Sequence, residues 1–257
     1  MLTPPEIARS LLAAGESKAR LPLGKMLLLA ILAGAYIALA GVGATAAAVT
    51  VESGSLAKLL SACVFPAGLS MVILAGSELF TGNCLMVMAL LERRITPAQL
   101  LRNWLTVYLG NAVGGAAVAA LAVYSHTASL FGDGLARSMV SIAESKAALG
   151  AGDAFLRGVL CNFLVCLAVW MAAASKRAEG KVIALFFPIL LFVLCGYEHC
   201  IANLYYLPAG AFAAAEYGVD TTLTLAGCLE NLAAVTLGNL VGGAALGVGY
   251  RFAYLKE

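Results

Sequence analysis

Charge is scarce in this chain. Of 257 residues only 16 are Lys or Arg and 14 are Asp or Glu, 12% of the total against about 25% in an ordinary soluble domain. With 62% hydrophobic residues and a mean hydropathy of +0.93, that scarcity excludes a soluble fold and requires an integral membrane protein. The net charge of +2 is scattered between apolar stretches, so no basic patch exists to bind nucleic acid. Histidine is rarer still: His126 and His199 are the only two, and neither stands at metal-ligand spacing. The seven cysteines, at 63, 84, 161, 166, 195, 200 and 228, form no CxxC and lie in apolar segments. They read as reduced, buried thiols, with no metal centre and no cofactor implied. No Pro/Ser-rich linker or charge run divides the chain, which gives one domain over 1–257.

What is present is a series of long apolar windows. At about 20 residues per crossing, they predict helices near 26–50, 57–91, 102–124, 154–174, 182–212 and 223–250. Before them, residues 1–25 are amphipathic, and the apolar run that follows is too long for the core of a cleaved signal. Thr3-Pro4-Pro5-Glu6 reads as a capping box opening a short helix, with Ile7, Leu11 and Leu12 facing lipid or the bundle. Six crossings place both termini on one side. Lys and Arg identify that side: only Lys58, Arg137, Lys146 and Arg157 fall opposite, and the others, from Arg9 to Lys256, share the side of the termini. The positive-inside rule makes that side cytoplasmic.

An internal repeat runs through these windows. Leu109-Gly-Asn-Ala-Val-Gly-Gly-Ala-Ala117 matches Leu237-Gly-Asn-Leu-Val-Gly-Gly-Ala-Ala245 at eight of nine positions. The second and fifth windows are too long for one straight helix, and each carries glycine and polar residues in its middle. Glu78-Leu-Phe-Thr-Gly-Asn83 in one corresponds to Glu198-His-Cys-Ile-Ala-Asn203 in the other. Each half, 26–124 and 154–250, holds three crossings, so the second half runs inverted. Paired broken helices in inverted repeats place a binding site or pore near the midplane, where the breaks meet. A break frees backbone N–H and C=O groups that need partners, and Glu78, Glu198, Asn83 and Asn203 can supply them. His199 and Thr81 have no such equivalents, since Leu79 and Ile201 occupy the matching positions. An ionisable group at membrane depth is expensive and marks a pathway or a water-filled cavity, which singles out His199.

Gly76-Ser-Glu-Leu-Phe-Thr-Gly-Asn83, Leu160-Cys-Asn-Phe-Leu-Val-Cys-Leu-Ala-Val-Trp170, Gly196-Tyr-Glu-His-Cys-Ile-Ala-Asn203 and Thr236-Leu-Gly-Asn239 resemble, in order, the signatures of the formate/nitrite transporter family. The resemblance implies an all-α, aquaporin-like fold of six transmembrane helices in an inverted 3+3 repeat, with the second and fifth helices broken. It further implies a homopentamer in membrane lipid with one pore per protomer, passing formate, nitrite or hydrosulfide with a coupled proton, in the bacterial cytoplasmic membrane. Under it His199 is the central pore histidine and Thr81 its partner. Leu69, Phe80, Val165 and Phe192 take apolar constriction positions, Asn162 and Asn239 are polar pore residues, and Lys146 draws anions toward the mouth. Taken without the resemblance, the four apolar residues are ordinary packing, Lys146 is a solvated loop charge, and His126 lies on an outer-loop surface.

Two other function classes are weaker. Aquaporin-like pores for neutral solutes carry paired Asn-Pro-Ala breaks, and none occurs here. A membrane enzyme using Glu198 and His199 as acid and base lacks a metal cluster, an activated serine or a cofactor motif. Among anions, the tract Leu204-Tyr-Tyr-Leu-Pro208 resembles the formate members, ahead of nitrite and hydrosulfide.

Overall fold

The computed structural model describes residues 1–255, and Lys256, counted above with the cytoplasmic charges, lies outside the described residues. Twelve α-helices and two short 3-10 turns make up the described residues, which contain no strand. Helix α1 (Pro4–Ala19) opens on the predicted capping box: the Glu6 carboxylate accepts from the Thr3 N–H at 2.7 Å, and that bond holds the Glu6 carboxyl below its ordinary range. Its Ile7 is buried against Met88 and Trp170.

The first crossing is α2 (Leu23–Ala48). The second is broken: α3 (Gly54–Val64) and α4 (Pro66–Ala75) run end to end, then α5 (Phe80–Asn83), a 3-10 turn and α6 (Val87–Leu91) complete it. The third is α7 (Pro97–Tyr124), whose Thr96 and Gln99 form a second capping box. The segment before the fourth crossing, read from sequence as loop, contains a 14-residue amphipathic helix, α8 (Gly134–Ala147). The fourth crossing is α9 (Ala151–Ala173), the fifth is split into α10 (Ala178–Leu194) and α11 (Cys200–Tyr217), and α12 (Leu225–Tyr254) is the sixth. Among the described residues, five uninterrupted stretches are long and apolar enough to cross a membrane. The remaining crossing needs α10 and α11 together, because the break divides its apolar length.

Lipid gives no hydrophobic drive between helices, so contact depends on close packing. Glycine supplies it at matching places in the two halves. A Cβ on Gly114 of α7 would sit on the carbonyl oxygen of Ile31 in α2, and one on Gly242 of α12 would sit on the carbonyl oxygen of Val159 in α9. The outward faces carry exposed leucines such as Leu28, Leu105, Leu121, Leu156 and Leu237, as a lipid-facing surface requires. All seven cysteines are free: Cys84, Cys161, Cys166 and Cys200 are buried as expected, whereas Cys63 and Cys195 are exposed. Their apolar segments conceal the difference, because a membrane helix is as apolar on its lipid face as on its packed face.

Candidate functional site

The two breaks are built alike. Helix α4 ends at Gly76 (φ 78°), and the break after α10 turns at Gly196 (φ 70°); both are left-handed conformations that suit glycine. Ser77 and Tyr197 then donate backbone N–H bonds back to Val72 and Phe192, and Glu78 and Glu198 donate theirs to the Leu29 and Arg157 carbonyls.

One asparagine holds each interruption. In the first, Asn111 Oδ1 accepts from the Phe80 N–H at 3.0 Å, while its Nδ2 donates to the carbonyls of Ala30 (2.7 Å) and Glu78 (2.9 Å). In the second, Asn239 Oδ1 accepts from the Cys200 N–H at 2.9 Å, and its Nδ2 donates to Gly158 (2.8 Å) and Glu198 (2.9 Å). The side chains of Glu78, Glu198, Asn83 and Asn203, expected to satisfy the freed backbone, do something else. Asn83 Nδ2 donates to Glu78 Oε2 (2.8 Å) and to Asn103 (2.9 Å), and Asn203 Nδ2 donates to Glu198 Oε2 (2.7 Å) and to Asn231 (2.8 Å). Each glutamate also binds a lysine: Lys18 Nζ to Glu78 Oε1 at 2.6 Å, and Lys146 Nζ to both oxygens of Glu198 at 2.9 and 3.0 Å. The asparagines on the long helices can reach three backbone groups at once, whereas the glutamates carry acceptors only and need cations.

Lys18 and Lys146 are equivalents, and so are α1 and α8. Ala8-Arg9-Ser10 and Glu16-Ser17-Lys18-Ala19 recur as Ala136-Arg137-Ser138 and Glu144-Ser145-Lys146-Ala147. Each repeat therefore begins with a short amphipathic helix whose lysine reaches the glutamate of its own break. Sequence reasoning that started each repeat at its first apolar window missed this, although the signal was in plain view. Lys146 is not a solvated loop charge: its side chain is mostly buried, ion-paired, and 5.3 Å from the centroid of Tyr206.

His199 and Thr81 meet between the breaks. Thr81 Oγ1 lies 2.9 Å from His199 Nε2, with both residues buried. His199 is also the N-cap of α11, its Nδ1 accepting the Ala202 N–H at 3.1 Å. An acceptor Nδ1 has no hydrogen, so the neutral ring carries its hydrogen on Nε2 and donates to Thr81. The Thr81 hydroxyl hydrogen is then left to donate elsewhere. A second proton would sit on Nδ1 facing the Ala202 N–H, which would cost the cap. Asn162 steadies the Thr81 segment by donating to the Thr81 carbonyl (3.2 Å) and the Asn239 carbonyl (2.7 Å).

His199 borders two spaces. One is a cavity of about 130 Å³ also lined by Lys58, Lys146, Glu198, Tyr206 and Phe65. The other is an apolar pinch of about 10 Å³ between Ile37, Phe65, Leu69, Leu79, Val165, Ile189 and Phe192, about the room of one water molecule. Phe65 and Phe192 border both spaces and pack edge-on at 5.7 Å, and Phe192 stacks on the His199 ring at 5.8 Å. Leu69, Val165 and Phe192 thus stand in the pinch. Phe80 does not: its ring packs edge-on against Trp104 and Tyr108 and lines an apolar groove between α7 and α12. Leu79, one residue earlier, takes the inward position because it is the residue matching His199 in the repeat. Phe65 and Leu79 were missed, and that symmetry was the available signal for Leu79. Asn239 faces the break rather than either space, and His126 caps an exposed turn beside Tyr217. Among the described residues no group of His, Cys, Asp and Glu could hold a metal.

These features define a class: a membrane pore protein of the broken-helix, inverted-repeat kind, with a polar dyad where the breaks meet. The particular family follows from comparison. The family model for formate/nitrite transporters matches residues 5–253, and the chain belongs to that family. It is 39% identical to a probable formate transporter of Methanothermobacter thermautotrophicus, with 99% of this chain and 98% of that protein aligned. It is 40% identical to the formate channel FocA of Haemophilus influenzae over 86% of this chain and 83% of that one. Among solved structures it superposes on an FNT family ion channel with a TM-score of 0.87 at 32% identity, covering 96% of this chain and 98% of that one. It also superposes on a pentameric formate channel with formate bound, with a TM-score of 0.81 at 32% identity, covering 91% and 98%. The fold is accordingly the aquaporin-like one. The family is one of transporters and channels, not of enzymes.

Proposed function

We propose that this protein carries formate across a bacterial cytoplasmic membrane, as a homopentamer with one path through each protomer and both termini in the cytoplasm. The substrate and the assembly are carried over from the relatives named as formate transporters and channels and from the pentameric, formate-bound neighbour. The path runs from the outer cavity past Lys146, through Thr81 and His199, and into the apolar pinch. Each chain, residues 1–257, is one channel unit.

The observation that supports the mechanism is the Thr81–His199 contact at 2.9 Å set against a pinch with space for about one water. Moving a bare anion into apolar surroundings costs tens of kcal/mol in the Born limit. Protonating a carboxylate of pKa near 4 at pH 7 costs only about 4 kcal/mol, at 1.36 kcal/mol per unit. Formate therefore takes its proton from the water of the outer cavity before the pinch and crosses as the acid. The Thr81 hydroxyl donates to it where its water is lost, and His199 holds that hydroxyl in place. The ring stays neutral because its Nδ1 is committed to the α11 cap. Constriction falls to Leu69, Val165 and Phe192, joined by Phe65 and Leu79.

Formate influx into proteoliposomes over a pH series tests this reading. Influx should rise as pH falls and should alkalinise the external medium; pH-independent influx without proton movement would overturn it. His199→Asn should slow flux at every pH while keeping the slope. A flat pH profile in that variant would instead make His199 the proton donor, and unchanged flux would remove it from the path.

A further inference from the structure

The cation best placed to recruit an anion at the outer mouth is not Lys146. Two cavities lie in series on that side. The inner, about 130 Å³, reaches His199, and the outer, about 340 Å³, is lined by Ala48, Val49, Gly54 and Ser138 among others. Thr45, Lys58, Ser61 and Ile142 border both, so they stand at the neck between them. The charged side chains lining the two spaces are Lys58, Lys146 and Glu198. Lys146 is bound through both oxygens of Glu198, and this pair contributes no net charge. Lys58 has no carboxylate within ion-pair distance among the described residues, so it is the unpaired cation lining these two spaces.

Local structure turns Lys58 toward that route. Ser53 caps α3, accepting from the Leu56 N–H, so Lys58 begins the helix's second turn with Ser61 three residues on and on the same face. The same face also brings Phe65, one turn further, to the inner cavity. Lys58, Ser61 and Phe65 thus descend one helix stripe from the mouth to the pinch: a cation, a hydroxyl and an apolar wall.

We propose that Lys58, with the Ser61 hydroxyl beside it, is the anion-recruiting site of the outer entrance, and that Lys146 is a brace for the second break. A small carboxylate would meet the Lys58 ammonium and Ser61 before reaching the dyad. A flexible ammonium in water attracts an anion without holding it tightly, which suits a station that must release. The inference rests on the small-anion reading above.

The test is initial anion flux into proteoliposomes holding intact pentamers, at low and high ionic strength, for wild type, Lys58→Gln, Lys58→Arg and Ser61→Ala. A recruiting charge acts on rate and is screened by salt, over about 10 Å at 0.1 M. Wild-type formate flux should fall as salt rises. Lys58→Gln should lose roughly threefold or more at low salt and show little salt dependence, converging with wild type at about 1 M. Lys58→Arg should restore both rate and slope, and Ser61→Ala should lower the rate with the slope kept. Wild-type rate and slope in Lys58→Gln would overturn the assignment while leaving the formate reading intact. A wild type that passes nitrite or hydrosulfide but not formate, with a Lys58-dependent slope, would overturn the substrate and keep the site. A wild type that passes none of the three would overturn both.

Discussion

Replacing Asn239 with alanine removes three hydrogen bonds in one step, because its amide accepts from Cys200 N–H and donates to the Gly158 and Glu198 carbonyls at 2.8 to 2.9 Å. Each partner is main chain at or beside the fifth-helix break, with no lipid-facing water to replace the lost bond. Measured side-chain hydrogen bonds inside membrane proteins average about 0.6 kcal/mol and reach about 1.7. Three together predict a loss of about 2 to 5 kcal/mol. Asn111→Ala removes the matching set from the first break, with bonds of 2.7 to 3.0 Å, and should cost a similar amount. Unfolding in detergent micelles, followed by helical circular dichroism against a denaturant series, gives the comparison directly. Asn239→Asp separates geometry from chemistry: it retains the acceptor for Cys200 but loses both donors and places an acid against two carbonyls. It should therefore be no more stable than the alanine variant. If Asn239→Ala and Asn111→Ala both unfold at the wild-type midpoint, the breaks are held by something other than these two side chains, and the account of the frame is wrong.

Lys146→Met should destabilise the fold by about 3 to 5 kcal/mol by leaving Glu198 buried without its cation, and the double variant Lys146→Met, Glu198→Gln should recover most of that loss in the same unfolding assay. Gly114→Leu and Gly242→Leu each force a side chain onto a neighbouring helix carbonyl, so each should cost at least the 1 to 3 kcal/mol usual for overpacking, read as a lowered unfolding midpoint. Thr81→Val should lower formate flux several-fold and cost about 1 to 3 kcal/mol by leaving the buried His199 Nε2–H without a partner, whereas Thr81→Ser should keep both, as measured in proteoliposomes and by unfolding. The exposed Glu144 carboxylate accepts the Thr222 N–H (2.6 Å) and the Thr221 hydroxyl (2.9 Å), which hold its pKa below the ordinary value. Its support of the segment after α11 is then complete above about pH 4.5 and lost as pH falls through the lowered folded pKa. Hydrogen exchange at Thr222 should accelerate there, and Glu144→Gln should remove that pH dependence.

The crossings were legible because membrane helices advertise themselves by length and hydropathy, and the breaks because glycine and glutamate inside an apolar window have no other use. Helix α8 was not. It is amphipathic, with Arg137, Ser138, Ser141 and Ser145 along its polar side, and a search for crossings passes over such a segment. The role of Asn111 and Asn239 was half visible: the repeat marked both, but the sequence does not show that a side chain on a straight helix reaches back to a broken one. Phe80 and Leu79 show the limit most sharply. They are adjacent, both large and both buried, and which one faces the pinch depends on the exit angle of the chain from Gly76. Hydropathy and burial do not fix that angle, and the match of Leu79 to His199 in the repeat was the one signal for it.

The frame and the centre obey different rules, and the reason is physical. Two inverted halves give a backbone whose breaks, asparagines, glutamates and lysines are duplicated: Asn111 and Asn239 satisfy the same freed groups in each half, and each glutamate takes its own lysine. A symmetric centre would have placed two leucines or two histidines face to face, since Leu79 and His199 are equivalents. Two leucines would leave a dehydrated acid without a partner. Two imidazoles would offer competing rings at the narrowest point and invite one of them to hold a proton. One histidine against Thr81 avoids both outcomes. The imidazole is fixed by the cap of its own helix, its hydrogen is committed to threonine, and one hydroxyl hydrogen is left over to donate. On this reading charge is handled at Lys58 and hydrogen bonding at Thr81, two stations in sequence along the path, and a variant that merges them should trap the anion it was meant to pass.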